Sequence, residues 1–256
     1  TVHSHWQYYG GDAGGMRYSD LKQVNDKNVD KLKTAWTYRT GELDTYKNSK
    51  IIEKAAFEAT PVLIGNVLFF STPTSRVIAV DASTGKEKWT FDPGINLNAD
   101  YSEVTSRGVS VWIPPADMGN VPKRIFIATL DGRLIALSAA NGSPIISFGR
   151  NGTVNLREVF NKEWIIPSPP AIVGNTVVIG SSMGDNQRID YPRGTVRGFD
   201  ARSGKLLWSW DPIPDDSSRA AWKTWENNSA AVTGAANAWA VLSADAARNL
   251  VFIPTS

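Results

Sequence analysis

The chain has 256 residues, 42% hydrophobic and 20% charged, with a net charge of +2; this is the balance of a soluble globular protein, and the lack of a basic block excludes a nucleic-acid groove. The absence of cysteine excludes disulfides, thiolate metal centres, iron–sulfur clusters and cysteine nucleophiles together. No run reaches the ~18 apolar residues of a membrane span, and ten tryptophans against three methionines and two histidines point to a repeated packing role, a stacking site or both.

The opening TVHSHWQYYGG lacks the basic and apolar regions of a signal peptide, which suits the mature or excised part of an exported or anchored protein. His3 and His5 stand in this polar tail and are read as inert rather than as metal ligands. Residues 19–36, SDLKQVNDKNVDKLKTAW, carry Leu21, Val24, Val29 and Leu32 with some helical spacing; helical signal is weak elsewhere. Trp36 and Tyr38 close this stretch with a W-x-aromatic step that recurs downstream.

The next element, ATPVLIGNVLFFSTPTSRVIAV, reads as apolar strands turned at Gly65-Asn66, and it runs into the hairpin AVDASTGKEKWTF at 79–91. ALSAANGSPIISF at 136–148 and GFDARSGKLLWSW at 198–210 repeat that hairpin. In each copy a glycine (Gly85, Gly142, Gly204) is followed by a bulky apolar residue (Trp89, Ile146, Trp208) and then an aromatic one (Phe91, Phe148, Trp210), while Asp81 and Asp200 precede their glycines. A tight turn with glycine at positive φ fits this pattern, with Lys86 and Lys205 on the solvent side. PSPPAIVGNTVVIGSSMGD, turned at Gly174-Asn175, supplies the strand pair before the third copy, and residues 238–256 begin another unit. Four strands per unit make a propeller blade. The chain thus reads as one all-β domain over 1–256 with about four blades and two strand-free inserts, at about 94–120 and 211–237. The copies are spaced more widely than a minimal blade of about 40–50 residues, and long inserts on such a scaffold tend to be functional.

The stretch IGSSMGDNQR places Asp185 and Asn186 side by side just after an apolar strand. Taken alone it is either an ordinary turn or a pair of hard oxygen donors beside approachable backbone.

Several motifs carry a family likeness: the D-x-x-x-G-K-x-x-W hairpins, FEATPV at 57–62, SRGVSVW at 106–112, GSSMGDN at 180–186 and NAWAVLSAD at 237–245. Together they resemble the quinoprotein dehydrogenases that depend on pyrroloquinoline quinone (PQQ), eight-bladed propellers with tryptophan-docking repeats. VTSRGVS, PSPPAIV and RGFDARSGKLLW are similar to the branch of membrane-associated glucose, quinate and polyol dehydrogenases. The methanol and ethanol enzymes of the family carry adjacent cysteines where Tyr101-Ser102 stand here, so the resemblance favours a sugar or polyol substrate.

PQQ is a flat tricarboxylate quinone and needs planar walls, cations and a metal. By resemblance, Trp239 is the platform for the quinone, with blade packing as its plain alternative, and Arg107 meets the cofactor with Glu58 orienting it. Ser182, Met183 and Gly184 would offer a hydroxyl and backbone groups, and Asp185 and Asn186 would ligate Ca²⁺ or Mg²⁺. Glu103 stands where the glucose enzymes have histidine, and Pro167 where some members have threonine, with Ser168 as a substitute hydroxyl. Trp222 and Trp225 lie in the second insert and are candidates to border a substrate mouth.

The family's general base is an aspartate in an H-D-x-W-D motif, which does not occur here, and its second metal asparagine would follow Ser256. The resemblance therefore implies the N-terminal half of a periplasmic oxidoreductase that passes electrons to a respiratory quinone. Membrane association would come through a segment outside this chain, and these residues alone would be inactive. The rival expectation is a non-enzymatic propeller scaffold of the outer-membrane assembly lipoprotein type, which would need neither Arg107 nor Asp185.

Overall fold

The computed structural model describes residues 5–156, 164–183 and 188–256. Within them the strands form three antiparallel meanders. The first sheet runs Val62–Ile64, Val67–Ser71, Val77–Asp81, Glu87–Phe91, with His5–Trp6 from the chain start added beside Val62–Ile64. The second runs Ser110–Trp112, Arg124–Ala128, Arg133–Ser138, Thr153–Asn155. The third runs Ala171–Val173, Thr176–Ile179, Val196–Asp200, Leu206–Trp210. Ser243–Asp245 and Leu250–Phe252 pair as a further hairpin. These are the four-stranded units expected from the repeats, and the Gly65 and Gly174 turns lie between paired strands as anticipated.

Stacked sheets explain the continuous apolar runs. Side chains alternate across a strand, and a middle sheet is covered on both faces. Ile125 and Ile127 accordingly pack with Val62, Phe69, Val77 and Trp89 of the first sheet. Phe126 and Ala128 pack with Ile172, Val177 and Phe199 of the third. Each such side chain contributes about 1.5–3 kcal/mol on burial, so the two inter-sheet cores carry most of the stability.

The docking tryptophans tie these layers together. Trp36 donates from Nε1 to the Ala82 carbonyl at 3.0 Å, and a Cβ on Gly85 would lie 2.6 Å from its ring. Trp89 repeats the arrangement one sheet on, donating to Ala139 at 3.2 Å over Gly142. Both glycines have φ near +70°, so the turn and the close approach each require glycine.

The third junction departs from the expected repetition. Ile146 occupies the tryptophan position but is 68% exposed, and no strand returns directly after Gly142. Pro144 is the physical reason, since it has no N–H for a ladder and makes only an isolated bridge to Leu137. The Ala201 carbonyl, equivalent to Ala82 and Ala139, instead receives Nη1 of buried Arg124 at 2.8 Å, which also reaches the Arg202 carbonyl at 2.6 Å. The guanidinium lies 5.5 Å from the Trp112 ring, whose Nε1 donates to Asn175 Oδ1 at 3.2 Å.

Two further expectations are corrected. Residues 19–36 contain only the short 3₁₀ turn Val29–Lys31, and Leu21, Val24, Val29 and Leu32 are exposed. Without a buried apolar face a helix this short has little to stabilise it. The first insert is not strand-free, since Ser110–Trp112 is an edge strand of the second sheet and Val104–Thr105 pairs with Ala55–Ala56. The second insert has no strand among its described residues, only the 3₁₀ turns Ala220–Thr224 and Glu226–Ala231. Arg193 anchors it through the carbonyls of Ile213 and Ala230, at 2.8 Å each.

Candidate functional site

Among the described residues one parallel pair occurs beside the antiparallel ladders. Ala55 is partnered with Val104 and Ala56 with Thr105, and the Thr105 hydroxyl donates to the Ala56 carbonyl at 3.1 Å. Parallel register keeps the offset constant along both chains, so two residues further on Glu58 comes beside Arg107. Their ion pair, Arg107 Nη2 to Glu58 Oε2, measures 3.1 Å. Backbone bonds hold the arginine on both sides: its N–H donates to the Pro167 carbonyl at 2.7 Å, and its carbonyl accepts from Thr60 at 3.1 Å.

The arginine's other face meets an indole. Arg107 Cζ lies 5.0 Å from the Trp239 ring centroid. Trp239 is 38% exposed, and its own carbonyl accepts from the Ser168 hydroxyl at 2.6 Å. Ser168 thus fixes the tryptophan segment rather than offering its hydroxyl to a ligand. Gly180 packs so closely on the Ala238 carbonyl that a side chain there would overlap it.

Arg107 is only 14% exposed in its side chain, and its Nη1 is buried with no hydrogen-bond partner among the described residues. A buried cationic N–H without an acceptor carries a desolvation cost of about 1–3 kcal/mol or more. An anionic ligand beside the partly exposed indole would remove it. Ser181 Oγ and Asn237 Oδ1, also buried and unpartnered, stand on the same two segments that meet at Gly180 and Ala238. A planar polycarboxylate quinone fits this donor set: a guanidinium fork for a carboxylate and an indole face for the ring system.

Residues 6–256 match the model of the family described as "PQQ: Glucose/ethanol/alcohol dehydrogenase, beta-propeller domain". The chain belongs to this family of PQQ-dependent quinoprotein dehydrogenases. It is 38% identical to quinoprotein glucose dehydrogenase A of Acinetobacter calcoaceticus, over 100% of this chain and 33% of that protein. It is 37% identical to the quinate/shikimate dehydrogenase (quinone) of Acinetobacter baylyi, over 97% of this chain and 32% of the relative. Among solved structures, the quinohemoprotein alcohol dehydrogenase of Comamonas testosteroni superposes with a TM-score of 0.72 at 27% identity, covering 100% of this chain and 36% of the other. The chain therefore spans about a third of the length of these curated relatives.

Against this quinoprotein background, Glu58, Arg107 and Trp239 are the sequence candidates that the fold brings together. Ser182 and Met183 form a separate short strand paired with Trp164–Ile165, and Met183 packs in a buried cluster with Trp164 and Tyr191. Gly184, Asp185 and Asn186 lie outside the described residues, as does His3. Tyr101 is buried in an apolar cluster with Ile51, Ile95 and Val104.

Comparison of the three sheets exposes a signal that motif reading passed over. The middle hairpin closes through residues 72–76 in the first sheet and 129–132 in the second, each with a threonine hydroxyl accepting from the backbone of the following arginine. In the third sheet the same connection stretches from Ile179 to Val196 and includes the Ser182–Met183 strand. The connection between these two strands is therefore longer than its counterparts in the other sheets, which an alignment of the copies against one another would have revealed. Arg197, next to this connection, lies 5.9 Å from the Trp164 ring, and burial lowers its pKa against the opposing pull of Asp211.

Proposed function

We propose that this chain is the N-terminal part of an eight-bladed quinoprotein that oxidises a sugar, polyol or cyclic alcohol, with PQQ held at Arg107, Glu58 and Trp239. The single observation that carries the reading is the buried Nη1 of Arg107, without a partner among the described residues, beside the partly exposed indole of Trp239. Arg107 binds a carboxylate of the cofactor, Glu58 holds the opposite edge of the guanidinium, and Trp239 forms one planar wall. Ser168 and Gly180 fix that wall from behind. Ser182 and Gly184 contribute a hydroxyl and a backbone group, with Met183 backing them.

PQQ supplies a two-electron acceptor for the carbinol, which leaves as the carbonyl compound. Asp185 and Asn186 provide oxygen donors for a Ca²⁺ or Mg²⁺ ion, a hard cation suited to carboxylate and amide oxygens. The general base is proposed to lie outside these residues, together with the rest of the ring. A sugar or polyol is favoured because Tyr101-Ser102 replace the cysteine pair of the methanol and ethanol enzymes, and because relatives named for glucose and for quinate/shikimate match over nearly the whole chain. Electrons would pass to a respiratory quinone in the periplasm. Among the described residues no helix is long and apolar enough to cross a membrane; membrane association through a segment outside this chain is part of the proposal.

The test is a thermal-shift titration of the full-length protein with PQQ and Ca²⁺. A cofactor-dependent rise in Tm, lost in Arg107→Ala and Trp239→Ala, supports the reading. A Tm indifferent to both additions replaces it with a non-enzymatic scaffold.

A further inference from the structure

Adjacent residues leave the Arg107 segment for different partners. Arg107 goes to Glu58 and Trp239. Ser106, 2% exposed, lies with its Oγ 2.7 Å from Oγ of Ser71, which is fully buried at the end of the strand Val67–Ser71. Thr105, also buried, is tied to Ala56. The three consecutive side chains therefore join the arginine segment to the first sheet at one end and to the site at the other. Glu58 is 41% exposed and its ion pair is open to solvent, so it is a weak restraint on the guanidinium. A buried hydroxyl pair is a stiffer one, because neither partner has water to exchange with.

We propose that the Ser71–Ser106 hydroxyl pair is a positioning device for Arg107, fixing the backbone from which the guanidinium is presented to an anionic ligand. This rests on the reading of Arg107 as the carboxylate-binding group. Ser71 and Ser106 are positioning residues: they act on the ligand through Arg107, and their effect should vanish when Arg107 is absent. A merely structural bond would lower stability equally with and without the arginine.

The experiment measures PQQ affinity of the full-length protein in the presence of Ca²⁺, by quenching of tryptophan fluorescence, for Ser106→Ala, Ser71→Ala and Arg107→Ala and for each serine variant combined with Arg107→Ala. Two serine variants interrogate the same bond from opposite ends, so poor folding of one leaves the other. Each single serine variant should weaken PQQ binding about tenfold, and neither should weaken it further by more than about twofold in the Arg107→Ala background. Equal losses in both backgrounds, or unchanged affinity in both serine variants, overturns the proposal while the cofactor reading stands. Unchanged affinity in Arg107→Ala overturns both together.

Discussion

Arg124 Nη1 donates to the Ala201 carbonyl at 2.8 Å, at the position where the two preceding sheet junctions receive an indole N–H from Trp36 and Trp89. One acceptor geometry is thus served by two unrelated donors. The guanidinium reaches two carbonyls through Nη1 and so replaces the hydrogen bond, whereas the face of Gly204, equivalent to Gly85 and Gly142, is covered by Gly149 and Val154. Loss of Arg124 would leave the Ala201 and Arg202 carbonyls without this donor. Arg124→Ala should therefore cost about 2–4 kcal/mol, and Trp89→Phe, which removes the N–H together with the five-membered half of a buried indole, about 1–3 kcal/mol. Chemical denaturation of the full-length protein measures both. A cost below about 0.5 kcal/mol for Arg124→Ala, that of an ordinary surface substitution, would deny Arg124 its docking role.

The same comparison predicts a negative result. Ile146 sits in the tryptophan slot of the sequence repeat yet projects into solvent. Ile146→Trp should change stability by no more than about 0.5 kcal/mol, as for other exposed positions. A gain of more than 1 kcal/mol would mean that this slot is a docking position after all.

Gly142 meets both demands made on glycine here, positive φ and an indole at van der Waals range. Ala at this position must strain the turn and push Trp89, and the expected destabilisation is about 2–4 kcal/mol. Gly65, with similar φ and no neighbour within reach, should lose only the conformational part, about 1–2 kcal/mol. The difference between the two variants isolates the docking contact.

These contrasts show where sequence reading succeeded and where it stopped. Gly85 and Trp89 were legible because a hairpin with a positive-φ glycine and an alternating strand leaves a fixed spacing in the chain. Ile146 misled because spacing does not report that Pro144 denies the next strand its ladder. Arg107 and Glu58 were legible only through resemblance, since a parallel pair between distant segments has no local period. The Ser71–Ser106 bond and the role of Arg124 were invisible for the same reason, as each depends on which loops the sheets bring together.

Acid should weaken the hairpin turns. Hydrogen bonds from Thr84, then from Ser83, together with Lys88, hold the Asp81 carboxyl below its ordinary pKa despite partial desolvation. At Asp200 burial pushes the pKa up, but hydrogen bonds from Ser203 and the Arg202 guanidinium outweigh it and the net direction is down. A folded pKa below the unfolded one stabilises the protein above the unfolded value, and that stability is lost as pH falls through the folded value. The loss should begin below the ordinary aspartate pKa of about 3.9. In Tm measured from pH 6 to 2.5, the wild type should therefore fall more steeply below pH 4 than Asp81→Asn/Asp200→Asn, which starts from a lower Tm because its amide nitrogens cannot accept the bonds that Asn66 and Arg202 make to the Oδ2 atoms, but whose side chains do not titrate. Parallel curves would assign acid sensitivity to other carboxylates.

At the site, the proposed cofactor role makes the two partners of the ion pair unequal. Arg107 is mostly buried and has an unused N–H, whereas Glu58 is open to water. A charged hydrogen bond inside the protein is worth about 1.5–3 kcal/mol, an exposed ion pair 0–1 kcal/mol. Arg107→Ala should accordingly weaken PQQ binding by about 10- to 150-fold. Arg107→Lys should recover only part of this loss, because an ammonium is a point charge that cannot keep Glu58 and a cofactor carboxylate on separate edges. Glu58→Gln removes a weak restraint on the guanidinium but also a negative charge near an anionic ligand. The two effects oppose each other, and affinity should move by less than about threefold. Isothermal titration of the full-length protein with PQQ at fixed Ca²⁺ orders the three variants. A loss in Glu58→Gln as large as in Arg107→Ala would make the carboxylate, rather than the arginine, the group on which recognition depends.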